Sequence, residues 1–305
     1  MRHLGGQGRN LATQRSIVKT KPFNMTATTC LVILIAALLH ASWNAVVKSG
    51  DEKILGLALI HIVSGAICNF LLPFASPPAR AAWPYLGLSV MLHWGYYWSL
   101  AQGYRAGELS YVYPIARGTA PLIVVGGAVV FANELISGTT LLGVLVVSGG
   151  IITLGLEQGL PDRHQWKPLS FSLLTGVWIS AYTLTDALGV RHSENALGYI
   201  TSLFMLEAVT FGLLIAFIRR QRLGGYVSSN WRSLLGGGIA AAGAYGLVIY
   251  VMNTNTIAIV AALRETSVVM AALIGTRLLK ERFGPIRLTA AVMVTVGIIL
   301  MNAGT

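Results

Sequence analysis

The blocks ARGTAP (116–121), FANEL (131–135) and SGGII (148–152) return 147 positions later as LRETSV (263–268), LLKER (278–282) and TVGII (295–299). Under that shift Arg117 falls on Arg264, Thr119 on Thr266, Glu134 on Glu281 and Gly150 on Gly297. Earlier in each half, with a slightly different offset, Trp43 in LLHASWNAV aligns with Trp178 in LLTGVWISA. The chain therefore uses one unit twice, and the question is what that unit is.

Composition answers it. The 305 residues are 54% hydrophobic and only 11% charged, with a mean hydropathy of +0.67. A soluble domain carries about 25% charge, so this is a polytopic membrane protein whose first partner is the lipid bilayer. A membrane span needs about 20 predominantly apolar residues. Ten segments meet that length: 26–47, 54–75, 82–104, 109–131, 136–156, 168–188, 196–218, 233–253, 256–279 and 286–303. They show no alternation of period two and are too long for barrel strands, so all are read as helices. Charges gather in the short connections, such as KSGDEK, SPPAR, EQGLPDRHQWK, RRQRLGG and KERFGP. Each copy of the unit then holds five helices, 25–157 and 168–304. An odd number forces the second copy to cross the membrane upside down. Inverted repeats of this kind mark secondary transporters, with the substrate site near the midplane between the halves. The expected fold is all-α, ten transmembrane helices as two inverted five-helix repeats around a central cavity.

The net charge of +11 does not call for nucleic acid, because Lys and Arg sit between apolar runs and form no basic patch interleaved with aromatics. Cys30 and Cys68 lie inside apolar runs, which argues against a disulfide framework or a metal site. No cofactor is expected. Residues 1–24 hold five basic residues and no acid and precede Met25. They read as a basic tail or a targeting peptide, or as an over-extended start with Met25 as the true first residue.

The two repeats, HASWNAVVKSG (40–50), YPIARGTAP (113–121) and the NE and KE pairs at 133–134 and 280–281 resemble the EamA-like branch of the drug/metabolite transporter superfamily over about residues 27–304. The resemblance implies ten helices around a cavity, alternating access, and small metabolites such as amino acids as substrates, often exported. It places the protein in the plasma membrane, in bacteria the inner membrane, as a monomer or homodimer. It also implies cytoplasmic termini. The loop charges point the other way: thirteen Lys/Arg follow helices 1, 3, 5, 7 and 9, against Arg80 and Arg191 opposite. A reporter fused after Thr305 decides between them. One departure from internal symmetry is RETSV (264–268) where the first half has RGTAP (117–121): the second half adds Glu265 and lacks both prolines of helix 4.

Arg117 is the lone charge between Glu108 and Glu134. A charge near the bilayer centre costs about 2.5–3.5 kcal/mol on insertion scales, so it should face a cavity or a counter-ion. At 1.5 Å per residue it lies about 12 Å deep, and Arg264 lies as deep from the opposite face. Guanidinium forks at those depths suit the carboxylate or phosphate of a metabolite; the competing reading pairs Arg264 with Glu207 or Glu265 and ties Arg117 to backbone carbonyls. Pro114 and Pro121 weaken helix 4 on both sides of Arg117. His40, Trp43 and Asn44 share a face of helix 1, helix 6 offers Trp178 and Tyr182, helix 4 Tyr113, and helix 3 Trp94 and Tyr97. Rings with polar tips at these places are candidates to line the cavity and to bind an ammonium. Glu207, Glu265 and His93 are candidates for proton coupling, and Glu134 and Glu281 for capping helices 5 and 10. The alternative functions are a flippase for a lipid-linked sugar and an intramembrane enzyme; no HExxH or GxSxG run supports the latter.

Overall fold

The computed structural model describes residues 26–107, 109–157, 166–270 and 284–303. The basic tail and Glu281 lie outside the described residues, as does the end of the predicted ninth span. Among the described residues every regular element is helical, and eight helices are long and apolar enough to cross a membrane.

The helices are α1 (Ala27–Ser49), α2 (Lys53–Leu71), α3 (Trp83–Ala106), α4 (Leu109–Ala132), α5 (Gly138–Gly155), α6 (Trp166–Arg191), α7 (Ala196–Ile218), α8 (Arg220–Met252), α9 (Ile257–Arg264) and α10 (Pro285–Ala303). The two that are not among the eight are α3 and α9. The first is 24 residues long, but its Trp, Tyr and His residues lower its hydropathy. The second is followed by a turn at Glu265 and resumes as helix over 266–270.

Two features depart from the sequence reading. The stretch 220–232, expected as a connection, is the first part of α8, whose 33 residues make a rod of about 50 Å. That exceeds the ~30 Å hydrocarbon core, so the Arg-rich start extends beyond it. α7 is interrupted directly after Glu207 by a π turn, Ala208–Gly212, which adds one residue to the helix. α4, by contrast, follows the expected span 109–131 and runs on through Pro114 and Pro121 as one helix.

α6 is the most enclosed of the eight spans, with 67% of its apolar window buried, against 22% for α1 and α10. Small residues bring its backbone close to α4: a Cβ on Gly176 would meet Thr119 Oγ1, and Ala116 O at 3.1 Å. Hydroxyls tie helices together where the lipid offers no hydrophobic drive. Thr175 Oγ1 donates to Ser99 Oγ on α3 at 2.9 Å, and Ser64 Oγ on α2 donates to Gly238 O on α8 at 2.9 Å. The outward surface is apolar, with Phe70, Val130, Phe131 and Ile299 exposed, as a lipid-facing surface requires.

The contacts repeat between the halves. α3 lies on α6 as α8 lies on α1, and α5–α10, α2–α7 and α4–α9 are each a pairing of equivalent helices. The α5–α10 contact is reciprocal to the residue. A Cβ on Gly150 would meet Ala290 O at 3.1 Å and Val294 N at 3.5 Å; on Gly297 it would meet Gly143 O at 2.7 Å and Val147 N at 2.9 Å. Adding 147 to 143, 147 and 150 gives 290, 294 and 297. Gly143 thus faces Gly297 while Gly150 faces Ala290, so the two helices run antiparallel. α2 and α7 do the same: Gly65 meets Phe204 O and Ala208 Cβ, and Gly212 meets Ala58 O and Ile62. Here the shift is 146 from 58 to 204 and 147 from 65 to 212, and the π turn supplies the extra residue.

Candidate functional site

Two buried polar clusters occupy the middle of the bundle. The first is built on the residues that the repeat singled out. Arg117 and Arg264 are each 2% exposed, and Glu265, fully buried, lies between them. Arg117 Nε is 2.5 Å from Glu265 Oε2, and Arg264 Nε donates to Glu265 Oε1 at 3.3 Å. The first contact is an ion pair without hydrogen-bond alignment, since both of its atoms lack a hydrogen-bond partner. Arg117 Nη2 also donates to Ser267 Oγ, and Arg264 Nη2 to Thr183 Oγ1, each at 3.3 Å. The rings of Tyr113 and Tyr245 lie under the guanidiniums, with centroids 5.9 and 6.0 Å from Arg117 Cζ and Arg264 Cζ. Tyr96, Tyr182 and His40 stand within electrostatic reach of both arginines. Two guanidiniums sharing one carboxylate leave a net charge of +1, and such a cluster draws an anion.

The local backbone explains how Glu265 comes to sit there. At Glu265 the helix tightens, with Glu265 N donating to Ala262 O and Val268 N to Glu265 O, both three residues apart. The carboxylate then follows Arg264 directly and points at the partner from α4. The expectation that Arg264 pairs with Glu265 holds; pairing of Arg117 with the same group, in place of backbone carbonyls, is the addition.

The second cluster centres on Glu207. Its Oε2 is 3.3 Å from His61 Nδ1 and its Oε1 is 3.3 Å from His93 Nδ1. His61 Nε2 and Tyr97 OH are 2.8 Å apart, and His93 Nδ1 donates to Ser89 O at 2.9 Å. Asp186, fully buried, accepts from Tyr199 OH at 2.9 Å and from Tyr245 OH at 2.5 Å. Tyr182 stacks on His93 at 4.0 Å, so Tyr182 and Tyr245 belong to both clusters.

The remaining predicted residues separate. Trp43 donates to His40 Nδ1 at 3.3 Å and packs against the cluster of Leu55, Leu59 and Ile60. Asn44 donates to the carbonyl of His40 at 2.8 Å. Trp94 is 40% exposed, with its edge towards Phe211. Trp178 covers Gly95 of α3, and its Nε1 is buried without a partner. Tyr97 belongs to the Glu207 cluster. Asp186, which the sequence offers as a protonatable group near a helix end, is fully buried; Tyr245 is missing from the sequence reading because one ring in a Gly/Ala-rich helix gives little signal.

Glu134 does not cap α5, and the correction is geometric. Asn133 takes a left-handed conformation (φ 52°), and Ser137 caps α5 by accepting from Thr140 N. Glu134 instead reaches across to the start of α9. Its oxygens accept from Ile257 N at 2.9 and 3.0 Å, and Arg191 Nη2 donates to it at 2.9 Å.

The comparisons with known proteins agree with this architecture. Residues 166–303 match the model of the EamA-like transporter family. No curated protein matches the chain in sequence. A solved structure titled "Crystal structure of protein" superimposes with a TM-score of 0.70 at 15% identity, covering 90% of this chain and 96% of that one. Identity that low bears on the fold alone. The protein is an integral multi-pass membrane protein, and its residues 166–303 are similar to the EamA-like transporter family.

Proposed function

We infer that the protein is a secondary transporter of the plasma membrane, built from two inverted five-helix halves, that exports a small anionic or amphipathic metabolite by alternating access. The reciprocal antiparallel contacts of α5 with α10 and of α2 with α7 support the inversion. One observation carries the substrate class: Arg117 and Arg264, at equivalent places in the two halves, share a single buried carboxylate and keep a net positive charge among tyrosines. A carboxylate or phosphate entering there would take the arginine valences that Glu265 does not fill. Because one guanidinium comes from each half, a bound anion touches both, which is what rocking the halves around a fixed site requires.

Thermal unfolding of the purified protein against a panel of amino acids, organic acids and phosphorylated metabolites tests this. A ligand present at 100 times its Kd adds about 2.7 kcal/mol, so an anionic member of the panel should raise the melting temperature of the wild type and leave Arg117→Ala unmoved. Stabilisation by neutral or cationic compounds alone, or equal stabilisation of Arg117→Ala, would overturn the assignment.

A further inference from the structure

Among the described residues, the bundle core buries Arg117, Arg264, Glu265, Asp186 and Glu207, besides Glu134 with its own partner Arg191. With neutral imidazoles that is two positive and three negative charges. One uncompensated charge in a low-dielectric interior is expensive, and one proton removes it. Only the second cluster is equipped to hold that proton, because Glu265 is already committed to two guanidiniums.

The geometry points to a proton-loading site at Glu207, between His61 and His93, that takes up one proton for each monoanion bound at Arg117 and Arg264. The inference rests on the anion reading above and adds its coupling. Two proton arrangements fit the same contacts. With Glu207 ionised, His61 Nδ1–H faces Oε2 at 3.3 Å as an ion-pair contact without hydrogen-bond alignment, and Tyr97 OH donates to His61 Nε2. With Glu207 protonated, its O–H faces His61 Nδ1 and His61 Nε2–H donates to the tyrosine oxygen. A small rotation of the carboxylate or the ring aligns the pair in either state.

The pair also occupies a special place. The 146-residue shift that relates Ala58 to Phe204 and Ile62 to Ala208 relates His61 to Glu207. They are the same position in the two halves and face each other across the α2–α7 contact, next to the π turn. Every element packed there presents a titratable group: His61 and Cys68 from α2, His93 and Tyr97 from α3, Asp186 and Tyr182 from α6, Tyr199 from α7 and Tyr245 from α8. Tyr245 joins the clusters, since its hydroxyl donates to Asp186 and its ring lies under Arg264. When an anion adds one negative charge at the arginines, a second proton from the aqueous phase on the His61–Glu207–His93 set restores neutrality. Anion and proton then leave together, and a monoanion moves with no net charge.

Two measurements test this. The first needs no substrate: infrared difference spectra of the purified protein between about pH 5 and pH 8 should show the carbonyl stretch of a protonated carboxylic acid in the wild type. Glu207→Gln should lose it and Glu207→Asp should keep it shifted. An unchanged band in Glu207→Gln, or no band in the wild type, overturns the site. The second uses proteoliposomes with a trapped pH dye and L-glutamate, lactate and inorganic phosphate as probes. A carried monoanion should acidify the side it enters one proton per molecule, and Glu207→Gln should cut the acceleration by a same-direction pH gradient about tenfold or more. Carriage without proton movement overturns the coupling and leaves the transporter reading standing. If none of the anions is carried, the anion reading and the coupling built on it both fail, while the infrared result still decides whether Glu207 binds a proton.

Discussion

Glu265 is the counter-ion of both guanidiniums, and its neighbours make that assignment testable. Removing one partner of a buried ion pair costs about 3–5 kcal/mol, because a charge is left stranded. Glu265→Gln should therefore lower unfolding stability in detergent by that order, and Glu265→Gln/Arg264→Gln should recover part of the loss. Equal stability of Glu265→Gln and wild type would contradict the shared-carboxylate geometry. Arg117→Lys should fold and insert but bind an anion at least about tenfold more weakly, since an ammonium lacks the planar fork that holds Glu265 and Ser267 together; titration of a fluorescent thermal shift would show it. Both arginines were legible in the sequence, because a lone charge in an apolar run demands an explanation. Glu265 was legible as a partner of Arg264 but not of Arg117, from which it is far along the chain; only the packing of α4 on α9 joins those two.

Helix ends and interruptions decide how those side chains are aimed. The Glu134 carboxylate belongs to the first half yet caps α9 and binds Arg191, both in the second. Loss of a helix cap costs about 0.5–2 kcal/mol, and here the Arg191 pair is lost too. Glu134→Ala should thus lower stability by about 2 kcal/mol, while Ser137→Ala, which uncaps only α5, should cost about 1 kcal/mol. Chemical unfolding of both variants would separate a bridge between halves from an ordinary cap; equal effects would favour the latter. The sequence flagged Glu134 as a cap but assigned it to the nearest helix, since local pattern carries no information about distant N–H groups. It was equally silent about the π turn after Glu207, which only the α2–α7 register reveals, and about the early start of α8, whose Gly, Ser and Asn residues read as a connection.

The 147-residue repeat is the feature most plainly written in the sequence. A shift of 147 aligns Arg117 with Arg264 and Gly150 with Gly297, and in the folded chain those glycines make mirror-image contacts. Gly150→Leu and Gly297→Leu should each destabilise by about 1–3 kcal/mol through overpacking, and by similar amounts. Gly126→Leu, at a position with open space, should change little. A large effect at one of the paired glycines and none at the other would break the symmetry. In the proposed function symmetry matters because it would put one arginine from each half on the same ligand. The measurement that tests this most directly is flux: uptake of the anion selected by thermal stabilisation into proteoliposomes holding wild type or Arg117→Ala at equal, correctly inserted amounts. The expected result is saturable uptake by the wild type and loss of it in Arg117→Ala; undiminished uptake by Arg117→Ala would contradict the account.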